Sequence, residues 1–241
     1  MDALTAAIAT GPAVAQVSSH FMLDGNTYKR GAELGFEGLD FYVTGRGGVL
    51  GEVDADVVSA AFTFLEPHAV RALWDQGRAV MPPARAASEF AACCHAWAEE
   101  HVPDDLDATR LGDLVGDVVA EASPACASVF AGWRALAVPT APKARIVHQM
   151  NALRELRLGL HGAAVVTSGL TPLQAVSLRS PAMAPVFGWA ELADVDGLSG
   201  LWDVAEERTN QAIAHAFAGL DDAGRAELVE LAVALHTATK G

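Results

Sequence analysis

With 241 residues and 51% hydrophobic content, the chain can build one large core or two domains, and it is too apolar to be disordered. Thirty acidic residues against sixteen basic ones give a formal net charge of −14, a far field that repels duplex DNA and makes nucleic acid an unfavoured partner. No window approaches the roughly 18 apolar residues of a membrane span, and the opening MDALTAAIAT carries no Lys or Arg, so the expectation is a cytoplasmic protein without a membrane partner.

Residues 1 to 19 read as an alanine-rich helix broken at Gly11-Pro12. From Asp24 the spacing Tyr28, Ala32, Gly35, Phe36, Leu39 is a helical stripe with Asp24 or Asn26 as N-cap. Gly31, Gly35 and Gly38 weaken that helix by roughly 1 kcal/mol each against Ala, which calls for a close neighbour on that face. Asp40-Phe41-Tyr42-Val43 then enters Gly45-Arg46-Gly47-Gly48, where a sharp turn or short hairpin is expected. Asp54 or Asp56 caps a helix that ends at Pro67, and Pro67 starts another that stops at Gly77. Pro82-Pro83 opens a longer helix, Asp104 to Ala122 forms an amphipathic one, and Pro124 to Val138 can supply one more. The three cysteines, Cys93, Cys94 and Cys126, fit neither a disulfide framework nor a zinc-ligand spacing.

Pro139 and Pro142 mark the expected boundary between an N-terminal helical repeat (1–140) with the glycine-rich turn and a C-terminal one (141–241). His20 and His148 are each followed eleven residues later by a glycine, Gly31 and Gly159. His95-Ala96-Trp97-Ala98 is echoed by His215-Ala216-Phe217-Ala218, and Leu106-Asp107 by Leu220-Asp221. Echoes kept in order suggest duplication, hence a mainly α fold of two similar halves forming a pseudo-dimer, with short β-hairpins at most near Gly45 to Gly51 and after Trp189.

In HGAAVVTSGLTPLQAVSL a helix stops at Gly169, and Thr171-Pro172 starts the next as N-cap and first helical residue. That spelling serves a helix-turn-helix and any other connection of two short helices. PLQAVSLRS offers only Gln174 and Arg179 as base readers. Together, HFMLDGNTYKRGAELGFEGLDFYVTGRGGVLGEVDADVV and LRELRLGLHGAAVVTSGLTPLQA resemble an actinobacterial family of helix-turn-helix proteins. The resemblance runs from about His20 to the last helix, and YVTGRGGVLG is its most specific part. It implies a mostly helical fold of winged-helix-like repeats and no settled activity.

For chemistry, the Gly45-Arg46-Gly47-Gly48 segment is the sharpest feature: glycine N–H groups and a guanidinium can clamp an anion, although a tight turn needs the same residues. Asp40 and Tyr42 would orient a ligand beside it. Arg157 and His161, at i and i+4, form a cationic pair, and the repeat alignment sets His161 opposite Glu33 as an acid/base couple. His20 and His148 either face each other or cap their helices. The favoured reading is therefore a small-molecule-binding protein, catalytic or not, holding a polar or anionic ligand between its halves. His148, His161, Tyr42 and Asp40 are its candidate catalytic residues; Arg46, Tyr28, His20, Gly31 and Arg157 its candidate binding residues. No metal pattern is present, and nothing names a cofactor or an oligomeric state. The alternative is an acidic helix-turn-helix regulator that binds DNA, and a third reading is a partner-binding scaffold.

Overall fold

A computed structural model describes residues 1–240. Among them are twelve α-helices and no strand. The first helix, α1 (Ala3–Leu23), runs unbroken through Gly11-Pro12. Pro12 is exposed and the carbonyl that loses its partner belongs to exposed Ile8, so water can satisfy it while the opposite face buries Ala6, Val14, Val17 and Phe21. Asp24 caps α2 (Gly25–Leu34), accepting from the Asn26 N–H at 2.7 Å. Gly35 ends that helix in the left-handed region at φ +98°, short of the expected stripe to Leu39.

The glycine-rich segment is helical. It forms α3 (Asp40–Gly47) followed by a 3-10 turn, Gly48–Leu50, where a sharp turn or hairpin was expected. Neighbouring chain explains the glycines. A Cβ at Gly45 would lie 2.7 Å from the Phe90 Cβ, one at Gly47 would lie 3.1 Å from the Val58 Cγ1, and one at Gly48 would collide with the Pro83 carbonyl. Tertiary contact thus outweighs the weak local helix propensity of glycine.

Next come α4 (Ala55–Ala61), α5 (Pro67–Val80), α6 (Pro83–His101), α7 (Ala108–Glu121) and α8 (Ser128–Arg134). The second part of the chain holds α9 (Pro142–Thr167), α10 (Pro172–Arg179), α11 (Ser199–Ala214) and α12 (Asp222–Thr239). Between α10 and α11 the chain has only a 3-10 turn, Pro181–Met183, and no hairpin follows Trp189.

At 26 residues, α9 is the central post, packed against α1, α6, α7, α8 and α11. It buries Ile146, Val147, Met150, Leu153 and Leu156 in a core shared with Phe21, Phe90, Trp133, Phe217 and Leu235. One main core therefore draws on residues from α1 to α12. Two satellite cores stand apart from it, one among α3, α4 and α5 and one where α9, α10 and α11 meet. No helix among the described residues is long and apolar enough to cross a membrane.

Candidate nucleic-acid interface

The first satellite core closes three helices on one another: Val43 of α3, Ala55 and Val58 of α4, Phe62 and Leu65 of the turn, and Val70 and Trp74 of α5. A Cβ at Gly77 would run into the Thr44 hydroxyl and come within 3.1 Å of the Asp40 carbonyl, so α5 lies directly against α3. Trp74 Nε1 donates to the Val53 carbonyl at 3.1 Å, tying α5 to the chain entering α4. At the start of α5, Pro67 takes the first helical position and the Glu66 carboxylate accepts from the Ala69 N–H at 2.7 Å. The result is a helix, a short turn (residues 62–66) and a second helix, braced by a third.

With its inner face used for packing, α5 turns His68, Arg71, Ala72, Asp75, Gln76, Arg78 and Ala79 outward. Arg71 and Arg78 stand two helical turns apart on the same side. Their partners Asp56 (2.5 Å) and Glu52 (3.5 Å) are 76% and 64% exposed, so these pairs are solvent-screened and weak. Fourteen residues make α5 about 21 Å long, enough to lie along a major groove about 12 Å wide.

The pair expected from the sequence, α9 and α10, is also present. Thr171 and Gln174 form a reciprocal capping box, with Thr171 Oγ1 accepting from the Gln174 N–H at 3.2 Å and Gln174 Oε1 accepting from the Thr171 N–H at 2.9 Å. That bond engages one of the two anticipated base readers. The other, Arg179, lies over the Trp202 ring at 5.3 Å. The outward arginines of α5 went unassigned in the sequence reading, although PHAVRALWDQGRAV carries them seven residues apart.

Most of the residues expected to form a ligand site bond to other groups of the protein. Arg46 is 1% exposed and gives two bonds to Glu155, Nε to Oε1 at 2.8 Å and Nη2 to Oε2 at 2.7 Å. Burial alone would lower its pKa, but the charge of Glu155, aided by Tyr42, outweighs that and raises it. Glu155 is likewise pushed up by burial and pulled further down by Arg46 and Arg154, so the pair is ionised. The clamp anticipated for an anionic ligand holds a protein carboxylate.

Tyr42 accepts from Arg46 Nη1 at 3.2 Å. Asp40 accepts from the Glu37 and Phe41 N–H groups at 2.9 and 2.7 Å and so fixes the start of α3. Gly31 makes room for Phe41. Arg157 pairs with Glu206 at 2.9 Å and Asn210 at 2.8 Å, and His161 bonds Thr209 at 3.0 Å, so this cationic pair faces α11. Burial lowers the His161 pKa, with Glu206 opposing and Arg157 assisting. Glu33 lies with Arg30 at 3.5 Å and makes no couple with His161.

His20 stacks on Trp97 with ring centres 5.8 Å apart, while His148 Nδ1 meets His95 Nε2 at 3.1 Å, so the two histidines do not face each other. Burial, with the charge of His95 adding to it, brings His148 down to about 4. Tyr42, Arg46 and His161 do border one hollow of about 250 Å³, beside Phe62, Arg154 and Trp202. Tyr28, with its phenol pushed up by burial and then by Tyr42, borders an adjoining apolar one.

A family model described as a helix-turn-helix family matches residues 9–199. The chain belongs to that family. No curated protein and no solved structure matches it. The matched span contains all of α4 and α5 and all of α10. Membership in a helix-turn-helix family overturns the small-molecule reading and the expectation that nucleic acid is an unfavoured partner. That expectation rested on the sparse base readers of PLQAVSLRS and on the net charge of −14, which describes the far field, whereas a helix face makes local contacts and α5 carries its own arginines.

Proposed function

We propose that this helix-turn-helix protein binds duplex DNA and reads it with α5. The observation that carries the reading is the α3–α4–α5 unit inside the matched span, which presents a 14-residue helix with Arg71, Arg78, His68 and Gln76 outward. In such units the second helix lies in the major groove with its N-terminal residues on base edges and its neighbours on the backbone. Arg71 and Gln76 have the donor geometry for guanine and adenine edges, and Arg78 sits where a phosphate contact would position the helix. The acidic remainder of the surface keeps non-specific affinity low, so binding depends on the correct site.

We further propose that the chain is built of two related halves. Asp107 caps α7 after Leu106 and Asp221 caps α12 after Leu220, each through a backbone N–H three residues on. On this reading residues 1–140 and 141–241 are two copies folded as one body.

Selection from a random duplex library, followed by anisotropy titration over a range of salt, tests the proposal. A recurrent sequence motif is expected, bound by the full chain and lost in the Arg71→Ala, Arg78→Ala double variant at unchanged melting temperature. No enriched motif, with no binding even at low salt, would overturn it.

A further inference from the structure

We propose that residues 184–190, in the second half, are a strap that positions α5 for DNA without touching DNA. The proposal rests on the reading of α5 given above. The turn between α4 and α5 leaves backbone groups that its own unit does not satisfy. Trp189 Nε1 donates to the Phe64 carbonyl at 2.9 Å, and the Phe187 carbonyl accepts from the Glu66 N–H at 2.8 Å. Glu66 is also the N-cap of α5, so the strap holds the residue from which α5 starts.

Side-chain packing closes the contact. The Phe187 ring rests on the α3–α4–α5 core. Gly188 has φ +89°, and a Cβ there would lie 2.5 Å from the Ala69 Cβ and 3.2 Å from the Glu66 Cβ, which admits glycine alone. The strap is itself rigid, because the Trp189 N–H donates to the Ala184 carbonyl and the Phe187 N–H to the Met183 carbonyl, each at 2.9 Å. It occupies the interval between α10 and α11, where the second half has no long helix. That interval, in place of reading DNA, grips the entry turn of the helix that does. Because the N-terminal residues of a reading helix meet base edges, a small tilt at Glu66 moves every contact made by α5.

Two strap variants and two readouts test this. Gly188→Val pushes the strap off Ala69, and Trp189→Phe keeps the ring while removing the N–H that bonds Phe64. Native-state hydrogen exchange should show faster opening of the α5 amides near residues 70–74 in both, with α7 and α9 protected as in the parent chain. One lost hydrogen bond corresponds to up to about tenfold in that opening equilibrium. Affinity for the selected duplex should fall by a similar factor, more in Gly188→Val than in Trp189→Phe, at an unchanged salt slope. Unchanged exchange in α5 overturns the strap whether or not the parent chain binds DNA. Faster exchange with undiminished affinity overturns its positioning role. Failure of the parent chain to bind any duplex removes the DNA reading of α5, while the exchange result still stands on its own.

Discussion

Arg46 of α3 and Glu155 of α9, 109 residues apart in sequence, form a two-bond ion pair at 2.8 and 2.7 Å with both side chains 1% exposed. The guanidinium also lies 4.1 Å from the Phe62 ring centre. This pair fastens the helix-turn-helix unit to the central post of the molecule. A buried pair of this kind resists the loss of either member because the survivor stays charged and desolvated.

Arg46→Ala should therefore lower unfolding stability by about 3–5 kcal/mol, read as a fall in the urea midpoint. The double variant Arg46→Met, Glu155→Leu, which removes both fully buried charges and leaves only the partly exposed Arg154 without its Glu155 partner, should recover much of the loss. A single variant as stable as the parent would show that Arg46 and Glu155 do not form the pair.

His148 gives the protein an acid sensitivity. Its folded pKa, near 4, lies below the roughly 6.5 of an unfolded histidine, so the unfolded chain binds the extra proton between those values. The contribution is complete above about pH 6.5 and is lost as pH falls toward 4, on the order of 3 kcal/mol in all. His95, lowered by burial against the pull of Glu99, titrates in the same direction. Melting temperature should drop between pH 7 and 5, and His148→Gln should flatten that drop from a lower starting point. An equally steep profile in the variant would place the sensitivity elsewhere.

Gly77→Ala should disturb the seat of α5 on α3, because the new methyl group would collide with the Thr44 side chain. Overpacking of this kind costs typically 1–3 kcal/mol, and Gly77→Ala, Thr44→Ala together should restore part of it. Chemical denaturation of the three variants measures the coupling. Additive losses would show that the two residues do not touch.

Arg71 and Arg78 should differ in what they do on DNA. Removing a phosphate contact lowers affinity across all sequences and reduces the salt slope by about 1, whereas removing a base contact relaxes preference at one position by about 1–3 kcal/mol. Arg78→Ala is expected to behave in the first way and Arg71→Ala in the second. Identical changes in slope and in sequence preference for the two variants would reject this division of roles.

The sequence by itself determined where most helices begin, because a cap is a local bond. Asp24, Asp107, Thr171 and Asp221 each accept from a backbone N–H two or three residues on. Pro67, Pro83, Pro142 and Pro172 stand at helix starts, where no N–H is missed. The helical class followed from such signals, and the family resemblance from the segments around YVTGRGGVLG and HGAAVVTSGLTPLQA. Only the tertiary structure decided that the Gly45–Gly48 segment is helical, since Phe90, Val58 and Pro83 come to those glycines from elsewhere in the chain. It also decided that Arg46 meets Glu155, that Arg157 and His161 face α11, and that both arginines of α5 stay outside. A hydrogen bond within one turn is encoded in adjacent residues. An ion pair across 109 positions is fixed only once every intervening helix has packed.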